Sequence, residues 1–216
     1  GTTSIWAAGS KLVQTILILG SAFTSVVIVP YFTKLVSEKS RFRVRRELLL
    51  LLILASWASG LLSLVFFSFA GPVLSVILPN VDDMVRLTQI SLIVQIGSLQ
   101  LPIIICGMIL LKLAVVEKIS LKVVSSTAFG LVTNAALGYV WVPIWGISGI
   151  IAAWCVGALA TTLALMYVSS FQTLMSRNHI GSIVLSWLTI WMYALAIYLK
   201  DPSVGITAVL LSIVVF

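Results

Sequence analysis

The sequence predicts an all-α membrane protein, a polytopic bundle of transmembrane helices. Three observations support this prediction: the 216 residues are 61% hydrophobic, only 9% of them are charged, and the apolar residues fall into long runs. A typical soluble domain is about half apolar and about a quarter charged. The runs are roughly 20 residues long, enough for a helix to cross the hydrocarbon layer, and they do not alternate as barrel strands do.

Seven apolar runs follow one another along the chain. They cover residues 5–31, 48–78, 88–111, 123–142, 147–170, 181–199 and 204–216. The second run is longer than one crossing needs, which predicts a tilted helix or one that extends beyond the bilayer. Because the chain begins with Gly1 and the last run stops in mid-pattern at Phe216, we expect a piece of a longer protein.

The connections between runs alternate in charge, and this alternation predicts the topology. The connections after the first, third and fifth runs are basic, whereas the others hold only Arg86 and Lys200. The basic residues are Lys34, Lys39, Arg41, Arg43, Arg45, Arg46, Lys112, Lys118, Lys122 and Arg177. The positive-inside rule places this set in the cytoplasm and the N-terminus outside, where Trp6, Trp141 and Trp145 would form an aromatic belt. The net charge of +7 is therefore a topology signal, and nucleic acid is not an expected partner.

The ionisable residues do not form a catalytic pattern. All six acidic residues lie in connections, and so does the sole histidine, His179. A nucleophilic triad or an acid–base pair cannot be assembled inside the runs, so no enzyme is predicted. Cys106 and Cys155 lie inside apolar runs and are expected to be buried, not paired or metal-bound. We expect no cofactor.

Lys11 is a charged residue inside an apolar run. It is 19 residues from Pro30, about 28 Å along a helix, which places it in the outer part of the bilayer. Its ammonium group either extends to the outer headgroups or faces an aqueous cavity and binds an anion, and both interpretations stay open. The other polar side chains inside the runs include Gln14, Gln95, Gln100 and Asn134. On one continuous helix Gln95 and Gln100 would lie about 140° apart, and an asparagine such as Asn134 typically forms an interhelical hydrogen bond.

Small residues recur every four positions in the fifth run, at Gly149, Ala153, Gly157 and Thr161. This spacing puts them on one face of a helix and lets a second backbone approach closely. We expect a helix-packing seam there.

Three stretches carry a family resemblance. They are "GTTSIWAAGSKLVQTILILGSAFTSVVIVPYFTKLVSE" with its "VPYFTKL" motif at Val29–Leu35, the step Gly71–Pro72–Val73, and "TNAALGYVWVPIWGISGIIAAW" at Thr133–Trp154. In order and spacing they resemble the second half of MviN/MurJ-type lipid flippases, which belong to the multidrug/oligosaccharidyl-lipid/polysaccharide exporter superfamily. The family's basic residue on the first helix is here Lys11 instead of arginine, and the acidic residue before it is Ser10.

The resemblance implies the C-terminal lobe of a two-lobed alternating-access transporter in the bacterial cytoplasmic membrane. Residues 1–170 would form this lobe with five spans, and residues 171–216 would add two more, the last truncated. The implied cargo is a polyprenyl-pyrophosphate-linked saccharide like lipid II, used in peptidoglycan biogenesis. The implied partners are this lipid, membrane lipids and the missing N-terminal lobe, and coupling to an ion gradient or membrane potential stays open.

The resemblance also implies a substrate site. Lys11 would contact the pyrophosphate, and Gln14, Ser10 and Asn134 are the further candidates for substrate binding. Two other functions stay open: a multidrug or cation antiporter of the same superfamily, and a non-transporting membrane protein of envelope assembly.

Overall fold

The computed structural model describes residues 2–37, 41–77 and 84–168, with a few more between 181 and 191. This part of the chain is almost entirely helical and contains no strand, which confirms the all-α class. The elements are α1 (Thr2–Phe23), a π-helical segment (Thr24–Ile28), α2 (Val29–Ser37), α3 (Arg41–Ile77), α4 (Met84–Ser98), α5 (Leu101–Val116), α6 (Ser120–Trp145) and α7 (Ile147–Val168). The last two runs and the 171–216 segment lie largely outside the described residues and stay predictions.

Four helical stretches of the described chain are long and apolar enough to cross a membrane. They are Ala7–Ser37, Arg46–Ile77, Ser120–Trp145 and Ser148–Tyr167. The pair α4–α5 passes the same test together and is bent by 45°, so it gives a fifth crossing if it is one span. These helices match the first five apolar runs and fit a multi-pass membrane protein.

The basic stretch between the first two runs is more helical than expected. α2 continues to Ser37 and α3 begins at Arg41, so the Arg41–Arg46 cluster is the first turn and a half of a helix. Arginine is a good helix former, and its long side chain can extend to the headgroups from a helix. The described part of the basic connection between the first two runs is therefore helical.

The third run is two helices, where one was expected. α4 ends at Ser98 and α5 begins at Leu101 with Pro102 in its first turn. Proline has no N–H to continue the helical ladder, and its ring clashes with the carbonyl four residues earlier. The angle of about 140° expected between Gln95 and Gln100 on one continuous helix therefore does not apply.

The bundle is built around α5. This helix packs against α3, α7, α2 and α1, and most of its side chains are buried. The thiols of Cys106 and Cys155 are free and buried, as expected. α6 lies at the edge of the described bundle, where it packs mainly against α7.

The α6–α7 contact confirms the small-residue seam. A Cβ added at Gly149 would meet the backbone of Trp141, and one added at Gly157 would meet Asn134. Thr161 lies against Gly130 one turn further along. As the residue number rises along α7, that of its contact on α6 falls, so the two helices are antiparallel, as expected for consecutive crossings.

The contacts between α3 and α5 place Arg46 and Lys112 at the same end of the bundle, and we call their depth the basic level. The Cys106 thiol donates to the carbonyl oxygen of Leu52 at 3.7 Å. Arg46 and Lys112 are each six residues from this contact, toward the same end of the antiparallel pair. They therefore lie at about the same depth.

Lys11 lies at a second level near the opposite end. α1 and α4 run parallel, and their contacts join Gly9 to Ile93 and Val13 to Gly97. Lys11 is therefore level with Gln95, whose Nε2 donates to the carbonyl oxygen of Phe67 at 3.1 Å. Phe67 is 21 residues from Arg46, about 31 Å along α3. The two levels are thus separated by about the thickness of the hydrocarbon layer, roughly 30 Å.

Candidate functional site

Lys11 and Gln14 share one exposed face of α1. Both side chains are exposed, as is Thr15, whose hydroxyl donates to the carbonyl oxygen of Lys11 at 2.8 Å. The opposite face carries Val13 and Leu17, which are buried. Because the apolar face packs against the bundle, the ammonium and amide groups point away from it.

The exposed face changes from polar to apolar along α1. Lys11, Gln14 and Thr15 are followed one turn later by Ile18, which is 66% exposed. Lys11 lies near one end of the span Ala7–Ser37, so Ile18 lies closer to its middle. This order of a cation, then hydrogen-bonding groups, then an apolar surface complements an amphiphile with an anionic head.

Ser10 does not join this face. It is buried, and its hydroxyl donates within α1 to the carbonyl oxygen of Ala7 at 3.4 Å. Successive residues of a helix lie about 100° apart, so a neighbour of Lys11 is turned away from it. The structure therefore places Ser10 in the helix packing, and its predicted role in binding is not supported by this position.

Asn134 is also separate from Lys11. It lies on α6, where its Cβ would be 2.7 Å from a Cβ added at Gly157 of α7. α1 packs mainly against α4 and α5, whereas α6 packs mainly against α7. Asn134 thus belongs to the seam, and of the four predicted site residues only Lys11 and Gln14 come together.

A second polar cluster surrounds the break between α4 and α5. Gln100 is fully buried, and its Oε1 accepts from the Cys155 thiol at 3.9 Å. Its Nε2 has no hydrogen-bond partner among the residues that the structure describes. The Ser98 hydroxyl donates to the carbonyl oxygen of Ser63 at 3.2 Å, and the Trp191 indole N–H donates to that of Leu99 at 3.0 Å. The Trp191 bond gives a partner to a carbonyl at the break itself, and the Ser98 bond joins the break to α3. Pro102 is the sequence signal for this break, because proline can bend or end a helix.

Comparisons of the chain with protein families, curated proteins and solved structures give no match.

Proposed function

We propose that the chain is one lobe of a flippase that moves a polyprenyl-pyrophosphate-linked saccharide across the cytoplasmic membrane. The observation that carries this proposal is the exposed face of α1, where Lys11 and Gln14 lie at the outer level and Ile18 lies below them. The phosphates of a lipid occupy the boundary between headgroups and hydrocarbon. A lipid pyrophosphate in the outer leaflet would meet Lys11 at that depth while its chain extends past Ile18.

Lys11 provides the charge that such a headgroup requires. A lysine ammonium has three N–H donors, and the Gln14 amide adds two more. Two unit charges 4 Å apart attract each other by about 4 kcal/mol at the effective dielectric constant of a protein surface. A pyrophosphate carries more negative charge than an ordinary phosphodiester, so the same lysine would favour it.

Two irregular helices support a transporter that changes conformation. The α4–α5 pair is bent by 45°, and the first span contains the π-helical segment Thr24–Ile28. Transporters of alternating access commonly use discontinuous helices at the bilayer centre, where one bundle moves against another. In this proposal a second lobe would supply the other bundle.

The two alternatives differ in what they require. A cation antiporter needs a carboxylate inside the membrane, and in the described chain Glu47 and Glu117 lie near the basic level, not between the levels. A non-transporting assembly protein requires no anion site, and in such a protein Lys11 would extend to the outer headgroups.

A binding experiment distinguishes these functions. The full-length protein in nanodiscs is titrated with radiolabelled undecaprenyl pyrophosphate and, separately, with undecaprenol. We expect Lys11→Gln to weaken pyrophosphate binding about tenfold, or ~1.4 kcal/mol, and to leave undecaprenol binding unchanged. Lys122→Gln, an exposed lysine at the other level, is the matched control. Equal binding by both variants and the unmodified protein would refute the anion site.

A further inference from the structure

An apolar groove opens between the first span and α3, with α5 as its floor. Its volume is about 360 Å³, and its walls include Gly20 and Ile28 on one side and Leu54, Ala58 and Leu62 on the other. Among the described residues that line it, Ser59 is the polar one, and its hydroxyl already donates to the carbonyl oxygen of Ala55. The groove therefore presents hydrocarbon with no unsatisfied hydrogen-bonding group from these walls.

The depth of the groove places it in the hydrocarbon layer. Its floor residues Ile105 and Ile109 are seven and three residues from Lys112, about 10 and 5 Å inward from the basic level. The groove begins in the half of the bilayer that adjoins the basic end and extends past the centre, because its wall residue Leu62 is 16 residues from Arg46, about 24 Å along α3. Lys11 is not among the residues that line it.

Positive charge lies at the mouth of the groove. Arg46, Leu50, Leu54 and Ala58 follow one another at every fourth position of α3, and all four are exposed. Lys34 is exposed on α2, which packs against α3. A single face therefore leads from cations at the membrane boundary into an apolar groove.

The groove suits a single hydrocarbon chain. Its volume of about 360 Å³ and its apolar lining can admit such a chain, which needs no hydrogen-bonding partner there. The cations at the mouth select a lipid with an anionic headgroup, each contributing about 1 kcal/mol near a membrane surface.

We infer that this groove binds one acyl chain of an anionic phospholipid from the leaflet at the basic end. The bound lipid fills the space between the first span and α3 and holds its phosphate against Arg46 and Lys34. This site is separate from the proposed cargo site and does not depend on the flippase function.

Photo-crosslinking in vesicles tests the inference. The full-length protein is reconstituted with phosphatidylglycerol that carries a diazirine on its acyl chain, and the labelled residues are mapped by mass spectrometry. We expect labelling at Leu54, Ala58 and Leu62 above the level found on the exposed face of α6. Ala58→Trp fills the groove and should reduce this labelling to that level. Ala135→Trp, an exposed alanine of α6 at a similar depth, should have no effect on labelling of the groove.

The headgroup part of the inference has its own readout. With phosphatidylcholine carrying the same diazirine, labelling of the groove should be weaker, and Arg46→Gln should reduce the preference for the anionic lipid about fivefold. Lys11→Gln should change neither result, which separates this site from the proposed function. Uniform labelling of α3 and α6, or groove labelling that survives Ala58→Trp, would overturn the inference. So would a groove that takes no lipid label, which is the result expected if a segment of the protein fills it.

Discussion

Replacing Gly157 with alanine tests the close packing of α6 against α7. A Cβ at this position would lie 2.7 Å from the Cβ of Asn134 and 3.0 Å from the carbonyl oxygen of Gly130. These atoms belong to the backbone of α6 or are attached to it, so no side-chain rotation can relieve the clash. The two helices must move apart.

The expected change in the free energy of unfolding is the difference between two opposing contributions. Overpacking of a well-packed interior costs typically about 1–3 kcal/mol, whereas alanine in place of glycine inside a helix gains roughly 0.5–1 kcal/mol. We therefore expect Gly157→Ala to lower the free energy of unfolding by about 0.5–2 kcal/mol. Gly157→Leu should lower it further, because the larger side chain meets the same backbone.

Gly20→Ala is the matched control. It is also a glycine inside a helix, but a Cβ there would lie 3.6 Å from Ile105, an ordinary van der Waals distance. It keeps the gain in helix propensity without the clash. Gly20→Ala should therefore raise the free energy of unfolding, whereas Gly157→Ala should lower it.

Thiol reactivity provides the assay. Cys155 is buried in α7, so its reaction with a maleimide during heating in detergent reports the opening of the bundle. Gly157→Ala should react at a lower temperature than the unmodified protein, and Gly20→Ala at the same or a higher one. Equal reaction temperatures for the two variants would refute the packing argument.

Three further predictions concern topology, a turn and the helix break. Cysteines introduced at Ser37 and Ser75, exposed beyond opposite levels, should be labelled by a membrane-impermeant maleimide from opposite sides; labelling from one side would contradict the alternating crossings. Lys118 has φ 58°, a left-handed conformation that costs a non-glycine residue about 1–2 kcal/mol, so Lys118→Gly should raise the thermal unfolding temperature, and a decrease would rule out strain at this turn. Gln100→Met should stabilise the protein by about 1–3 kcal/mol, because it removes a buried donor that has no partner in the described part of the chain. The measurement is thermal unfolding. If Gln100→Met unfolds at a lower temperature than the unmodified protein, the Gln100 amide has a stabilising partner besides Cys155.

Several features follow from the sequence because they depend on local chemistry. The first five crossings are visible as apolar runs, since each span must be apolar to lie in hydrocarbon. The seam at Gly149 and Gly157 is visible as a four-residue period, since that spacing puts small residues on one helix face. The depth of Lys11 follows from its distance along the helix.

Other features depend on which helices become neighbours. Pro102 is compatible with either a bent or a continuous span, and the bend is stabilised by bonds from Ser98 and Trp191 to backbone carbonyls. In the sequence, Asn134 is a candidate for substrate binding because it is polar and lies inside an apolar run. Its position in the helix packing follows only from the approach of α7 to α6 at Gly157. Ser10 adjoins Lys11 in the chain and yet lies in the packing, because α4 covers that side of α1.

The most direct test of the account is translocation of a fluorescent polyprenyl-pyrophosphate disaccharide in vesicles that contain the full-length protein. A membrane-impermeant quencher added outside reports how much lipid has changed leaflet. The account predicts that the unmodified protein accelerates this change, that Lys11→Arg retains it because the charge is kept, and that Lys11→Gln loses it with equal protein in the membrane. Translocation by Lys11→Gln at the rate of the unmodified protein would contradict the proposed role of Lys11, and the absence of translocation by the unmodified protein would contradict the flippase itself.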